Sequence, residues 1–178
     1  AAFTFTYPHI LDDWHKRGAE ISTFSPLSDQ VPGTCDLVFL PGGYPELYAG
    51  QLANAHQFKK ALQNAAKVYG ECGGYMVMGN TLIDEQGYAH KMLGLLSLET
   101  SFKTKNLHLG YREIYSKVGL FKGSYSAHEF HYATTISVKG KTLFSVQDSE
   151  ENKLPNSGLI NGTSSGSFLH IIDKRYEK

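Results

Sequence analysis

Cys72 is the residue whose surroundings are arranged for chemistry. It sits in Val68-Tyr69-Gly70-Glu71-Cys72-Gly73-Gly74-Tyr75-Met76-Val77-Met78: a short apolar run, a Gly-x-Cys-x-Gly turn and a helix-compatible apolar run. That order is the strand, sharp turn and helix of a nucleophile elbow, which holds one side chain out over a sheet edge. Gly70 and Gly74 relieve crowding where the turn brings backbone close to backbone, and Gly73 leaves a bare N–H beside the sulfur. A free thiol, with pKa about 8.5, is mostly protonated at neutral pH, but a helix N-terminus favours the anion. The pattern predicts an exposed nucleophile of depressed pKa, set against the plainer reading of a buried structural cysteine.

A second glycine pair, Gly42-Gly43, follows the apolar run Leu37-Val38-Phe39-Leu40. An N–H from this loop and the Gly73 N–H are candidate oxyanion donors, each of a kind whose loss costs about 3–4 kcal/mol in hydrolases. As a bare turn after a strand, the same glycines would do no chemistry. Tyr44 and Glu46, which follow, favour a substrate loop.

These residues need a scaffold, and the chain is long enough to supply one. Its 178 residues, 41% hydrophobic and 19% charged, suit one globular domain with a sizeable core. Lysine plus arginine equals aspartate plus glutamate at 17 each, which gives no electrostatic case for nucleic acid or an acidic membrane surface as partner. Two cysteines make no disulfide framework, and neither a membrane-spanning run nor a basic-then-apolar leader is seen, so the expectation is a cytoplasmic protein with reduced thiols.

Read in order, Ala1 to Pro8 is an extended start, and Ile10, Leu11 and Trp14 share one face of a helix that Gly18 stops. Glu20 to Phe24 reads as a strand, 25–34 as a loop, Leu37–Leu40 as a strand buried on both faces, and Gln51 to Lys67 as a helix. Cys35, beside the buried strand, is expected to be inert. Helices alternating with short apolar strands predict an α/β fold, an open and mainly parallel sheet with its site at the strands' carboxyl ends. From Thr81 to Val146 the abundance of Tyr, Phe, Thr, Val and Gly predicts mainly antiparallel or mixed strands. Gln147 to Ser157 reads as an exposed loop, Gly158–Gly162 as a hairpin arm, and Gly166 to Ile172 closes the pattern.

Four motifs in this order carry a family resemblance: Leu40-Pro41-Gly42-Gly43-Tyr44-Pro45-Glu46-Leu47, Tyr69-Gly70-Glu71-Cys72-Gly73-Gly74-Tyr75-Met76, Leu109-Gly110-Tyr111-Arg112-Glu113 and His128-Glu129-Phe130-His131-Tyr132. Together they resemble the glutamine amidotransferase domain of cobyrinic acid a,c-diamide synthases of the cobyrinate/hydrogenobyrinate type, over nearly the whole chain. The resemblance implies a flavodoxin-like fold of the class I (triad-type) amidotransferases, spanning residues 1–178 as one domain. It implies glutamine as substrate, cleaved through a Cys72 thioester, and ammonia passed to an ATP-dependent synthetase domain that precedes this one in the family. ATP and magnesium are expected in that domain, whose phosphate-binding loop is absent here, so the chain reads as part of a longer enzyme; no cofactor is expected in this chain. The acceptor would be a corrin precursor amidated at its a and c carboxylates.

The resemblance also selects a base. Gly166-Ser167-Phe168-Leu169-His170-Ile171-Ile172 loosely follows the Gly-x-x-Phe-His-x-Glu pattern of the triad enzymes, with Phe168 one place early, and makes His170 the choice. Ile172 occupies the usual carboxylate position, so a Cys–His dyad follows, or a triad completed elsewhere. His128-Glu129-Phe130-His131 is the rival site: Glu129 could orient an imidazole, or Glu129 and His131 could support the active-site loop. A metal reading of the same residues lacks further ligands at a recognisable spacing, and none is assigned. Two other functions stay open: a non-catalytic docking or regulatory domain of the same fold, and an elbow-cysteine hydrolase of different substrate.

Overall fold

The computed structural model describes residues 2–176. Pro8 stands in the first turn of α1 (Pro8–Lys16), where its missing N–H is of no consequence. Ile10 and Trp14 turn inward as their spacing predicts, and Trp14 meets Phe39 edge-on at 5.5 Å. Upstream, the extended segment 2–7 is tied to the glycine loop: the N–H groups of Thr4 and Phe5 both donate to the Gly42 carbonyl. The strand expected over Glu20–Phe24 does not form; that segment is irregular and mostly exposed, with no described strand beside it to pair its backbone.

Next come β1 (Val38–Leu40), α2 (Ala49–Asn54), α3 (His56–Gln63) and β2 (Val68–Glu71). The single helix expected over 51–67 is two, broken at Ala55. The second has a cap that no local pattern reveals: Asp29 Oδ1 accepts the Phe58 N–H at 2.8 Å from a distant loop. Strands β1 and β2 pair in parallel, Leu40 opposite Gly70. Cys35 lies before β1 and is exposed, not shielded by the strand.

Cys72 then turns the chain into α4 (Gly73–Met78), which packs back over the ends of β1 and β2. The approach is close enough that a Cβ on Gly74 would fall 2.0 Å from the Leu40 carbonyl oxygen, so only glycine fits.

The remaining elements are strands: β3 (Thr81–Ile83), β4 (Ala89–Lys91), β5 (Leu98–Ser101), β6 (His108–Ser116), β7 (Gly123–His131), β8 (Thr134–Val138), β9 (Lys141–Gln147), β10 (Lys153–Asn161), β11 (Ser164–Ser167) and β12 (Leu169–Lys174). One sheet has the order β1-β2-β11-β10-β9-β6-β7-β12 and a smaller one β4-β3-β5-β8. The α/β class expected from the sequence holds, with its parallel part smaller than expected: parallel pairing is confined to β1-β2-β11 and β3-β5. Tight connections such as Gly162 between β10 and β11 make the second half antiparallel, as its composition predicts. The polar stretch 147–157 is not a free loop, for its two ends enter β9 and β10 and only 148–152 turns.

The large sheet curls. Strands β11 and β12 are separated by Phe168 alone, yet lie third and last in the strand order, so the four strands between them wrap round and bring β12 back toward β2. Two cores fill the curve and its outer face, one around Leu40, Phe58, Leu62, Met76 and Leu98, the other around Tyr69, Ile114, Phe144, Leu169 and Ile171. Each fully buried side chain of this size contributes about 1.5–3 kcal/mol. Among the described residues, no helix is long and apolar enough to cross a membrane.

Candidate active site

The turn after β2 holds Cys72 at φ 46°, ψ −104°, a region that costs a non-glycine residue about 1–3 kcal/mol and persists only when neighbours enforce it. Here they do: the Cys72 N–H donates to the Ser167 carbonyl at 2.8 Å, and its carbonyl accepts the Met76 N–H at 3.0 Å. The strand, strained turn and helix of a nucleophile elbow are therefore all present. Two expectations about the thiol are not met. Cys72 is only 6% exposed. Burial pushes its thiol up to about 12, with Glu71, Glu46 and Glu129 adding to the rise and the Gly73 N–H opposing it. The six-residue α4 offers too little to reverse that desolvation.

Sγ lines a cavity of about 440 Å³ shared with Gly43, Tyr44, Glu46, His131 and His170. Its hydrogen-bond acceptor is the Phe130 carbonyl, at 3.6 Å. The two glycines expected to supply oxyanion donors lie side by side, for a Cβ built on Gly73 would lie 3.0 Å from the Gly43 nitrogen. The loop carrying Gly43 is held there by a hydrogen bond from the Gly74 N–H to the Pro41 carbonyl.

His170 lies against Gly42, where an added Cβ would come 2.4 Å from its Cε1. Its other neighbours are His128, stacked at 4.7 Å, and Phe5, edge-on at 6.5 Å. Burial, with His128 and His131 nearby, pushes His170 down to about 4, so it is a neutral imidazole at neutral pH. His128 is engaged on its Nδ1 by the Tyr7 hydroxyl at 3.1 Å, and burial lowers it too.

His131 is placed differently although it lines the same cavity. Nδ1 faces the Ala133 carbonyl at 3.0 Å, and Nε2 faces Glu129 Oε1 at 3.1 Å. Its ring stacks on Phe168 at 3.9 Å and on His108 at 4.5 Å. Both ring nitrogens are thus engaged by the Ala133 carbonyl and Glu129, and neither is turned to Cys72. Glu129 also receives Arg112 Nη2 at 2.8 Å and Nε at 3.1 Å, and the His131 bond with the Arg112 charge behind it holds its carboxyl below the ordinary range. His108, Glu129 and His131 bring one ligand atom each within 4.8 Å of one another. The Glu129 and His131 atoms of that group are already committed to each other and to Arg112.

Two acidic groups, Glu46 in the cavity wall and Glu71 behind His170, add a character that the motifs alone do not convey. Glu46 Oε2 is buried without a hydrogen-bond partner, and burial raises its carboxyl above the usual range. Glu71, directly before Cys72, is 3% exposed and pushed up to about 8 by burial. A carboxylate inside an otherwise apolar strand is the sequence signal that marks it.

Comparison with known proteins fits this geometry. The sequence profile of the CobB/CobQ-like glutamine amidotransferase domain matches residues 4–177. The chain belongs to this family. Within it, the chain is 51% identical over 179 residues to the hydrogenobyrinate a,c-diamide synthase of Brucella abortus biovar 1, covering 97% of this chain and 41% of that one. It is 46% identical over 180 residues to the enzyme of the same name from Rhodobacter capsulatus, with coverage of 97% and 41%. The chain thus spans about two-fifths of the length of these relatives. Among solved structures, PurLQS from Thermotoga maritima superposes with a TM-score of 0.53 at 16% identity, over 80% of this chain and 71% of that one, a likeness of fold alone. The fold is accordingly mixed α/β with a curled sheet core that is largely antiparallel, in place of the open, mainly parallel sheet expected.

Proposed function

We propose that this chain is the glutaminase part of an ATP-dependent a,c-diamide synthase acting on a corrin precursor. The observation that carries the reading is one cavity joining Cys72 on its strained turn, His170 and Gly43, with Gly73 packed beside Gly43. Glutamine would enter with its side-chain amide at the sulfur, and the unpartnered Glu46 oxygen offers its α-ammonium an acceptor. The Cys72 proton passes to His170, sulfur attacks the amide carbon, and the oxyanion is received by the two backbone N–H groups. Collapse breaks the C–N bond as His170 returns the proton to the leaving ammonia. Water, deprotonated by His170, then attacks the thioester carbon, the C–S bond breaks to release glutamate, and His170 returns the proton to the Cys72 sulfur. Ammonia would pass to the synthetase domain, in which bound ATP and magnesium would supply the activation of the acceptor's a and c carboxylates. A cytoplasmic setting, which keeps the thiol reduced, belongs to the same reading.

The test is covalent capture with 6-diazo-5-oxo-L-norleucine, a glutamine-like electrophile, followed by peptide mass mapping and glutamine turnover. Labelling of Cys72, lost in His170→Ala and retained in a folded His131→Ala, is expected. Absence of both labelling and turnover would favour a docking or regulatory domain; a reactive Cys72 that ignores glutamine would favour a hydrolase of different substrate.

A further inference from the structure

We infer that Glu71, the residue immediately before the nucleophile, is the positioning carboxylate of His170 and completes a Cys72–His170–Glu71 array. The inference rests on the glutaminase reading for its kinetic consequences and on geometry for its premise. Glu71 Oε2 lies 3.7 Å from His170 Nδ1. Among the described residues it is the acidic group in ion-pair range of that nitrogen, and His170 makes no closer side-chain hydrogen bond. Apo catalytic contacts are often loose and tighten when charge develops. The other carboxylate oxygen, Oε1, accepts the Ile171 N–H at 3.2 Å, which ties β12 to β2 and fixes the carboxyl plane next to the imidazole. Ile172 supplies no substitute: its carbonyl faces His9 Nε2 at 2.5 Å.

The consequence is a choice of tautomer. An ionised Glu71 accepts from His170 Nδ1–H, which leaves the Nε2 lone pair free to receive the Cys72 proton and then lets the carboxylate stabilise the imidazolium. A protonated Glu71, with Oε1 already taken by Ile171, turns its O–H toward Nδ1 and leaves the proton on Nε2, where it blocks the base. Glu71 neither gains nor loses a proton in the reaction itself. Around it stand His170 on β12, His128 beyond on β7, Tyr7 from the first segment, and Tyr69 and Cys72 on either side along the chain. The active form therefore gains as pH rises through about 8, the value to which burial brings Glu71.

Glu71→Gln is the direct test, because the amide keeps the volume but must give its oxygen to the Ile171 N–H and its NH₂ to Nδ1. In the full-length protein, glutamine turnover is expected to fall at least about 100-fold in kcat at pH 9 with KM little changed, by analogy with the roughly 10⁴-fold loss when a triad aspartate becomes asparagine. The wild-type rise of rate around pH 8 is expected to vanish, and Glu71→Asp to restore part of it. Equal kcat and the same pH profile in Glu71→Gln would overturn the inference. Should that variant not fold, nitrogen NMR of His170 in the wild type decides: a proton on Nδ1 above pH 8 is expected, and one on Nε2 throughout refutes it. A wild type that neither turns over glutamine nor is labelled at Cys72 would instead sink the glutaminase reading, and the tautomer measurement would still decide the role of Glu71 independently.

Discussion

The sulfur of Cys72 faces the main-chain oxygen of Phe130 at 3.6 Å. The resting Cys72 is thus a buried neutral thiol held by a backbone acceptor, with burial pushing it up to about 12. The neighbouring imidazole is also neutral, so the resting site carries no thiolate–imidazolium pair.

This state reverses the usual order of thiol reactivity. Cys35 is exposed and Cys72 buried, so iodoacetamide is expected to modify Cys35 faster in the folded protein, since access favours Cys35 and burial keeps Cys72 protonated. The glutamine-like diazoketone is expected to do the opposite and modify Cys72 alone, because only a ligand that fills the cavity reaches the sulfur. Peptide mapping after brief exposure to each reagent separates the cases. Faster iodoacetamide modification of Cys72 would mean that the resting thiol is already ionised.

The elbow is legible in the sequence because it is local: Gly70, Cys72, Gly73 and Gly74 meet within one turn, and the turn dictates their identities. Its electrostatics are not legible there. The desolvation of Cys72 comes from strands and loops that close over it from elsewhere in the chain, and Phe130 offers it a backbone oxygen that no residue type signals. Glu71 is visible as a motif letter, but its partner β12 arrives 100 residues later through the curl of the large sheet. The break at Ala55 escapes for the same reason, since its cap is Asp29 from a distant loop. The strand expected over Glu20–Phe24 shows the converse, a local β pattern that finds no neighbour. Composition anticipates the antiparallel second half, but not that its strands outnumber the parallel ones within a single sheet.

Two glycines separate catalysis from stability. The three atoms nearest a Cβ on Gly42 would all belong to the His170 ring, with Cε1 at 2.4 Å, so Gly42→Ala is expected to displace the imidazole and cut turnover by tenfold or more while shifting the melting temperature little. A Cβ on Gly74 would strike the Leu40 backbone at 2.0 Å, where nothing flexible can yield. Gly74→Ala is expected to separate α4 from β1 and cost about 3 kcal/mol or more, in the range of severe overpacking. Chemical denaturation and glutamine turnover on both variants check the contrast, and a Gly42→Ala protein of normal activity would remove His170 from the base position.

Stability against pH reports the same pair of buried groups through opposite signs. Burial raises Glu71 from the ordinary 4.5 to about 8, so between those values the folded protein keeps a proton that the unfolded chain has lost, and stability falls as pH rises. His170 is lowered from 6.5 to about 4, so the unfolded chain takes up a proton first and stability falls as pH drops through that window. From 4.5 to 6.5 the two slopes oppose each other. Above 6.5 Glu71 acts without that counterweight, and one proton difference gives a loss of up to about 1.4 kcal/mol per pH unit, roughly 2 kcal/mol by pH 8. The loss then levels off until Cys72 begins to ionise in the unfolded chain near 9. Urea denaturation at half-unit steps from pH 6.5 to 8 is expected to show that decline in the wild type and a flat profile in Glu71→Gln. A decline that persists unchanged in Glu71→Gln would mean that another group carries the proton and that Glu71 is ionised beside His170 in the resting fold.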